Sequence, residues 1–173
     1  MRLVLYAFLA GCGGFTHQMM GKQCNQTFYV YERDLSPEQR TQVHDAFSYW
    51  NTTIQQRLWI DGGPVADDVE PAEGYTVVQF AEPPGKSDGA CGVTFFTYFP
   101  LSCISKAVIY ITARCKLSGA RLQSVLRHEI GHAMGIDHSD DPGQLMYPAM
   151  GHYPDPGVIY GEELDAVRGV YAP

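Results

Sequence analysis

The sequence predicts an α+β domain: a twisted, mixed β-sheet of four to five strands, a long N-terminal helix, a histidine-bearing helix and a C-terminal helix. Three observations predict it. Runs rich in β-branched and aromatic residues stand at 27–31, 75–80, 90–99 and 106–113, as strands require. A long amphipathic pattern separates the first two runs, and two helical patterns fill the last third of the chain. With 173 residues, 45% of them hydrophobic, the chain is long enough for one well-buried core and too short for two ordinary domains.

Taken in order, "MRLVLYAFLAGCGG" places one positive charge, Arg2, before a short apolar run and small residues. That is the order of a secretory signal. Leu9-Ala10-Gly11-Cys12 also resembles a bacterial lipobox, whose cysteine becomes a lipidated N-terminus, so residues 1–11 read as a lipoprotein leader or an ordinary signal. Residues 12–26 are polar and glycine-containing and read as a tether, with the folded domain at 27–173. These features imply export, either to the cell envelope with a membrane anchor at Cys12 or by secretion. Cys24, Cys91, Cys103 and Cys115 then favour two disulfides over a cysteine-type zinc site, since no two stand in a C-x-x-C arrangement. Four cysteines allow three pairings, and all three stay open.

The strand "TFYVY" (27–31) is followed by Ser36 as N-cap, Pro37 at the first helical position and Gln39 placed to complete a capping box. Val43, Ala46, Phe47, Trp50 and Ile54 recur at helical spacing and form the core face of this helix, with His44 between them reading as solvated. The loop 61–74 leads to the strand "YTVVQF" (75–80), and a Pro/Gly cluster at 82–89 leads to the strands "ACGVTFFTYF" (90–99) and "KAVIYITA" (106–113). A break at 116–119 precedes a helix starting near Ala120, in which Leu122, Leu126, Ile130 and Ala133 share one face and His128 and His132 the opposite one. A final helix runs through "GEELDAVRGVY" (161–171).

Composition excludes some functions. Twelve basic against nineteen acidic side chains offer no basic face for nucleic acid. No run reaches the roughly 18 apolar residues needed to cross a bilayer as a helix. A monomer is expected.

The chemistry lies in "HEIGHAMGIDHS" (128–139). His128 and His132 are four apart on a helix, so their imidazoles stand one turn above each other and can share a metal ion. Glu129 stands beside them as the general base. Gly135 allows the helix to end in a left-handed turn, and the reversed chain can bring His138 to the same ion. Three neutral nitrogens leave one tetrahedral position open, as in a catalytic rather than a structural zinc site. At average residue usage the five fixed positions arise by chance on the order of once in ten million starts, so the pattern reads as a site.

H-E-x-x-H-x-x-G-x-x-H followed by a methionine, here Met146 in "QLMYPAM", resembles the metzincin zinc metallopeptidases. Ser139, directly after the third histidine, makes the stretch similar to the matrixin branch (matrix metalloproteinase-like, peptidase M10), and "EELDAVRGVY" resembles the C-terminal helix of those domains. The resemblance implies a zincin-like catalytic domain with one catalytic Zn2+, an apolar floor beneath it from Met146, and cleavage of extended protein or peptide substrates along an exposed edge strand within residues 89–98. It also implies a pocket for the side chain after the scissile bond, bordered by Leu126, Tyr147, Pro148 and Met150, with residues 152–160 as its outer wall. His152, in that loop, reads as solvated or substrate-facing rather than as a fourth ligand.

Two departures qualify the resemblance. No histidine stands between His44 and His128, so the second, structural zinc of those domains is not expected; calcium is left unassigned. A large inhibitory pro-domain is not expected either, which leaves Cys24 as a disulfide half or as a short cysteine switch over the metal. Two other functions stay open: a catalytically silent zinc-binding surface protein, and a zinc amidohydrolase acting on non-protein substrates.

Overall fold

The computed structural model describes residues 20–25, 27–66, 69–71, 74–85, 89–98, 103–148, 159 and 161–171. Cys12, Met150 and His152, and with them the leader and most of the loop 152–160, lie outside the described residues. Among the described residues the strands are β1 (Lys22–Gln23), β2 (Phe28–Arg33), β3 (Trp59–Pro64), β4 (Tyr75–Gln79), β5 (Gly92–Tyr98) and β6 (Cys103–Ile111). The helices are α1 (Pro37–Ile54), α2 (Gly119–Ala133) and α3 (Glu162–Tyr171), and a 3-10 turn occupies Ala113–Cys115.

The strands form one six-stranded sheet in the order β1-β6-β4-β2-β3, with β5 on β6. All pairings are parallel except β5 with β6, which are antiparallel neighbours in the chain. β5 pairs with no other described strand, so among the described residues its outer edge is unpaired.

Alternation along the strands decides which face is covered. Phe28, Val30 and Glu32 of β2 and Ile104, Ala107, Ile109 and Ile111 of β6 are buried, and with α1 and α2 they form the core. α1 begins with the expected capping box on Ser36 and buries Val43, Ala46, Phe47, Trp50 and Ile54. Each such side chain contributes on the order of 2 kcal/mol of burial. Trp50 donates its indole N–H to the Arg127 carbonyl at 3.0 Å, which locks α1 against α2.

Glu32 is a carboxylate on the covered face, 2% exposed, and a buried charge requires partners. α1 supplies them: Arg40 Nε stands 2.6 Å from one carboxylate oxygen and His44 Nε2 stands 2.6 Å from the other. His44 is therefore part of a polar cluster, which Asp61 extends at 3.7 Å, rather than simply solvated.

The structure adds two strands that the sequence reading lacked. β3 lies where a loop beginning at Asp61 is expected; its backbone pairs with β2 across a register shift between Val30 and Tyr31, and Gly62 leaves room for the Tyr31 ring. β1 lies inside the expected tether. Lys22 and Gln23 pair with Cys103 and Ile104, Met20 N–H donates to the Gly135 carbonyl at 2.7 Å, and the Gln23 side-chain amide donates to the Ala133 carbonyl at 2.7 Å. Backbone hydrogen bonds and one buried polar side chain hold this segment, so no apolar pattern announces it.

Disulfides join Cys24 to Cys103 and Cys91 to Cys115. The Cys24 sulfur is thereby engaged beside β1, and the reading of Cys24 as a cysteine switch is corrected. No helix among the described residues is long and apolar enough to cross a membrane.

Candidate active site

α2 carries His128 and His132 on consecutive turns with Glu129 directly after the first, and ends at the corner the sequence marks with glycine. Gly135 has φ +90°, its N–H donates to the His132 carbonyl at 2.8 Å, and the Ile136 N–H donates to the Gly131 carbonyl at 3.0 Å. This pair of bonds is a Schellman motif, which satisfies the last helical carbonyls and reverses the chain. A Cβ at position 135 would lie 2.3 Å from the Gly21 carbonyl oxygen, so the corner is also crowded from β1's side. The reversed chain returns His138 to the helix, with His132 Nε2 and His138 Nε2 3.1 Å apart. The ring centroids of the three histidines are 4.7 to 5.4 Å from one another.

The ring tautomers follow from the acceptors around them. His128 Nδ1 stands 2.8 Å from the Leu145 carbonyl and His132 Nδ1 stands 2.8 Å from the Ile136 carbonyl. A carbonyl only accepts, so each Nδ1 carries the hydrogen and each Nε2 presents a lone pair. Burial holds all three imidazoles below the ordinary histidine range, His128 down to about 4. They are neutral at pH 7, the form that ligates.

The donor set fits a zinc ion. One nitrogen from each of the three rings falls within 4.8 Å of the others, and Zn–N bonds of about 2.0–2.1 Å place tetrahedral ligand nitrogens roughly 3.4 Å apart. Two ring nitrogens at 3.1 Å need a cation or a proton between them. Glu32, His44 and Asp61 also lie close enough to share an ion, but Arg40 already places a cation on the Glu32 carboxylate.

Glu129 is 5% exposed, and burial pushes its carboxyl up to about 7, opposed by a hydrogen bond from Thr94. Thr94 Oγ1 lies 2.6 Å from Glu129 Oε2. His128 and Glu129 are themselves buried, so the histidine face of α2 is covered rather than open. The loop that carries Met146 meets His128 through the Leu145 carbonyl, and β5 lies against Glu129.

Met146 is 0% exposed and packs against Gly131 of α2, where a Cβ would approach its sulfur to 2.4 Å. Glycine in the middle of a helix is unfavourable; here it admits the methionine. Ser139 N–H donates to the Met146 carbonyl at 2.9 Å, the Ser139 hydroxyl donates to Gln144 Oε1 at 2.8 Å, and Asp141 N–H donates to the Ser139 hydroxyl at 3.0 Å. From α3, Glu163 accepts the Met146 N–H at 2.7 Å, and the Tyr171 hydroxyl donates to the Met134 carbonyl at 2.8 Å. The C-terminal helix thus holds both ends of the metal-site loop.

The structure brings His128, Glu129, His132, Gly135, His138 and Met146 into one place. Of the pocket residues, Leu126 lies fully buried in the core, Tyr147 is half-buried and Pro148 is exposed just past Met146. Sequence reasoning missed Thr94, Gly92, Gly131 and Glu163. Only Gly131 carried a signal, a glycine inside a helical pattern.

A parallel-strand sheet with one antiparallel edge strand carries a helix bearing two histidines and a glutamate, and a glycine corner returns a third histidine to them as a candidate metal site. Residues 20–172 match the matrixin family, peptidase M10, and the chain belongs to that family. Curated relatives match over shorter stretches. Interstitial collagenase A of Mus musculus is 35% identical over 49 residues, 28% of this chain and 11% of that protein. Matrix metalloproteinase-20 of Homo sapiens is 46% identical over 57 residues, 32% of this chain and 11% of that protein. Macrophage metalloelastase of Oryctolagus cuniculus is 50% identical over 52 residues, 30% of this chain and 11% of that protein. The matched stretches span about a tenth of the length of these relatives.

Proposed function

We propose that this chain is a zinc-dependent endopeptidase that cleaves peptide bonds in extended protein substrates. The observation that carries the reading is a buried carboxylate, Glu129, next to three histidines close enough to share an ion, two of them, His128 and His132, with Nδ1 tied to a backbone carbonyl so that Nε2 presents a lone pair. His128, His132 and His138 would hold the ion. Zinc in such a site supplies Lewis-acid polarisation of the peptide carbonyl and acidifies water.

The protein's own residues supply the proton traffic and the alignment. Glu129 accepts a proton from the attacking water and passes it to the leaving amine. The edge of β5, unpaired among the described residues, offers backbone groups to which an extended substrate can add as a strand. Tyr147 and Pro148, just past Met146, would border the pocket for the side chain after the scissile bond, and an apolar border favours a hydrophobic one.

Export belongs to the same proposal. Two disulfides form in oxidising compartments, and the lipid anchor at Cys12 rests on Leu9-Ala10-Gly11-Cys12 alone.

Digestion of a mixed peptide library by the zinc-loaded protein tests the function. Cleavage at internal bonds, lost with a chelator and regained with Zn2+, is the expected outcome. An intact library alongside hydrolysis of small non-peptide amides would move the assignment to an amidohydrolase. Stoichiometric zinc with no hydrolysis of either would leave a silent binding protein.

A further inference from the structure

The edge strand β5 does more at this site than offer its outer edge. Gly92 and Thr94 are two residues apart and therefore share a strand face. Their partners on β6 are Ile111 and Ile109, both buried on the face that α2 covers. Glu129 lies against both positions. A Cβ at residue 92 would stand 2.6 Å from Glu129 Oε1, 2.7 Å from its Cγ and 2.7 Å from Val125 Cγ1, so only glycine lets the carboxylate lie there. Two residues on, the Thr94 hydroxyl stands 2.6 Å from Glu129 Oε2 and 3.0 Å from the Glu129 backbone carbonyl. Glycine leaves the space and threonine supplies the bond.

We propose that Thr94 is a positioning residue for Glu129, holding one carboxylate oxygen in place while the other remains the proton acceptor. The inference rests on Glu129 acting as the general base. Among the described residues no donor reaches Oε1, whereas Oε2 is fixed by Thr94.

The hydroxyl can serve both forms of the base. Its single hydrogen faces two acceptors. While Glu129 is a carboxylate, that hydrogen goes to Oε2. When Glu129 holds the proton taken from water on Oε1, Oε2 still accepts the Thr94 hydrogen, so the carboxyl keeps its orientation. After the proton passes to the leaving amine, the first arrangement returns and no proton is gained or lost. Valine has nearly the shape of threonine and can do neither; serine retains the hydroxyl.

The test compares Thr94→Val and Thr94→Ser with the wild type, using a peptide cleaved in the library digest. Thr94→Val is expected to lower kcat about 10- to 100-fold, the usual range for a partner that orients a metal-site group, with KM and bound zinc unchanged. Thr94→Ser is expected to restore kcat to within a few-fold. A merely structural role would not be rescued by serine while valine keeps the zinc. Wild-type kcat in Thr94→Val would overturn the proposal.

A second readout needs no activity. In metal-free protein, Thr94→Val should lower the unfolding midpoint by a few degrees when Glu129 is present and by less in a Glu129→Ala background. Equal shifts would overturn the contact itself. A wild type that cleaves nothing would overturn the peptidase reading, and with it the catalytic purpose of the contact, whatever the unfolding cycle shows.

Discussion

Gly135→Val removes the corner that brings the third histidine to the metal, and its effect can be worked from the structure. The residue sits at φ +90°, a conformation that a β-branched side chain adopts only under strain of about 1–3 kcal/mol. The new Cβ would meet the Gly21 carbonyl oxygen at 2.3 Å, where ordinary contact begins at 3.4 Å, so the corner or the lead into β1 must move by about 1 Å. Either movement loosens the bonds from Gly135 to His132 and from Ile136 to Gly131, and the one from Met20 to Gly135. Each is worth about 1 kcal/mol. The combined loss is on the order of 4–6 kcal/mol, which for a domain of this size lowers the unfolding midpoint by roughly 10–20 °C.

The metal should register the same change separately. His132 donates Nδ1–H to the Ile136 carbonyl, one residue past the corner, and His138 follows two residues later. Zinc affinity, measured by competition with a chromophoric chelator, should fall at least about 10-fold. Wild-type affinity together with a wild-type unfolding midpoint in Gly135→Val would refute the reasoning, because neither the strain nor the clash could then be present.

Two further outcomes follow from burial and cross-linking. In metal-free protein, burial holds His128 down at about 4 against an ordinary 6.5, so its contribution to stability is present above pH 6.5 and is lost as pH falls towards 4. Glu129 runs the other way: raised to about 7 from 4.5, its contribution is present below pH 4.5 and lost as pH rises through 7. Glu129→Gln should therefore gain stability relative to wild type between pH 4.5 and pH 8, by up to about 3 kcal/mol in denaturant titrations; a constant difference across that range would contradict the burial argument. Replacing Cys24 and Cys103 with serine opens a cross-link of sequence separation 79, against 24 for Cys91 and Cys115. On the chain-entropy model the losses are about 4.5 and about 3.5 kcal/mol, so the first pair should cost more in chemical unfolding, and the reverse order would show that native-state strain dominates.

How much was legible in the sequence depended on what each residue had to do. The metal site could be read because an ion dictates donor identity and spacing: His128, His132 and His138 allow little substitution, and Gly135 is required by a positive φ. α1 was legible through its capping box and five apolar positions, since a helix shows its buried face as a period. β1 and β3 were not, because Lys22 and Gln23 are polar and Trp59–Pro64 contains two glycines. What makes them strands is the backbone of β6 and β2, which no local pattern displays. Thr94 looked like any β-former in "GVTFFTY" and Glu163 like an acid near a helix start; their bonds to Glu129 and Met146 span 35 and 17 residues. Disulfide pairing was likewise a property of the fold, set by β1 lying beside β6.

The central claim is that Glu129 is the base of a three-histidine zinc peptidase. The most direct measurement compares wild type with Glu129→Gln for bound zinc and for cleavage of an unstructured protein such as casein. The account predicts one zinc per chain in both proteins, with cleavage reduced by about 100-fold or more in the variant. Undiminished cleavage by Glu129→Gln at full zinc occupancy would contradict it.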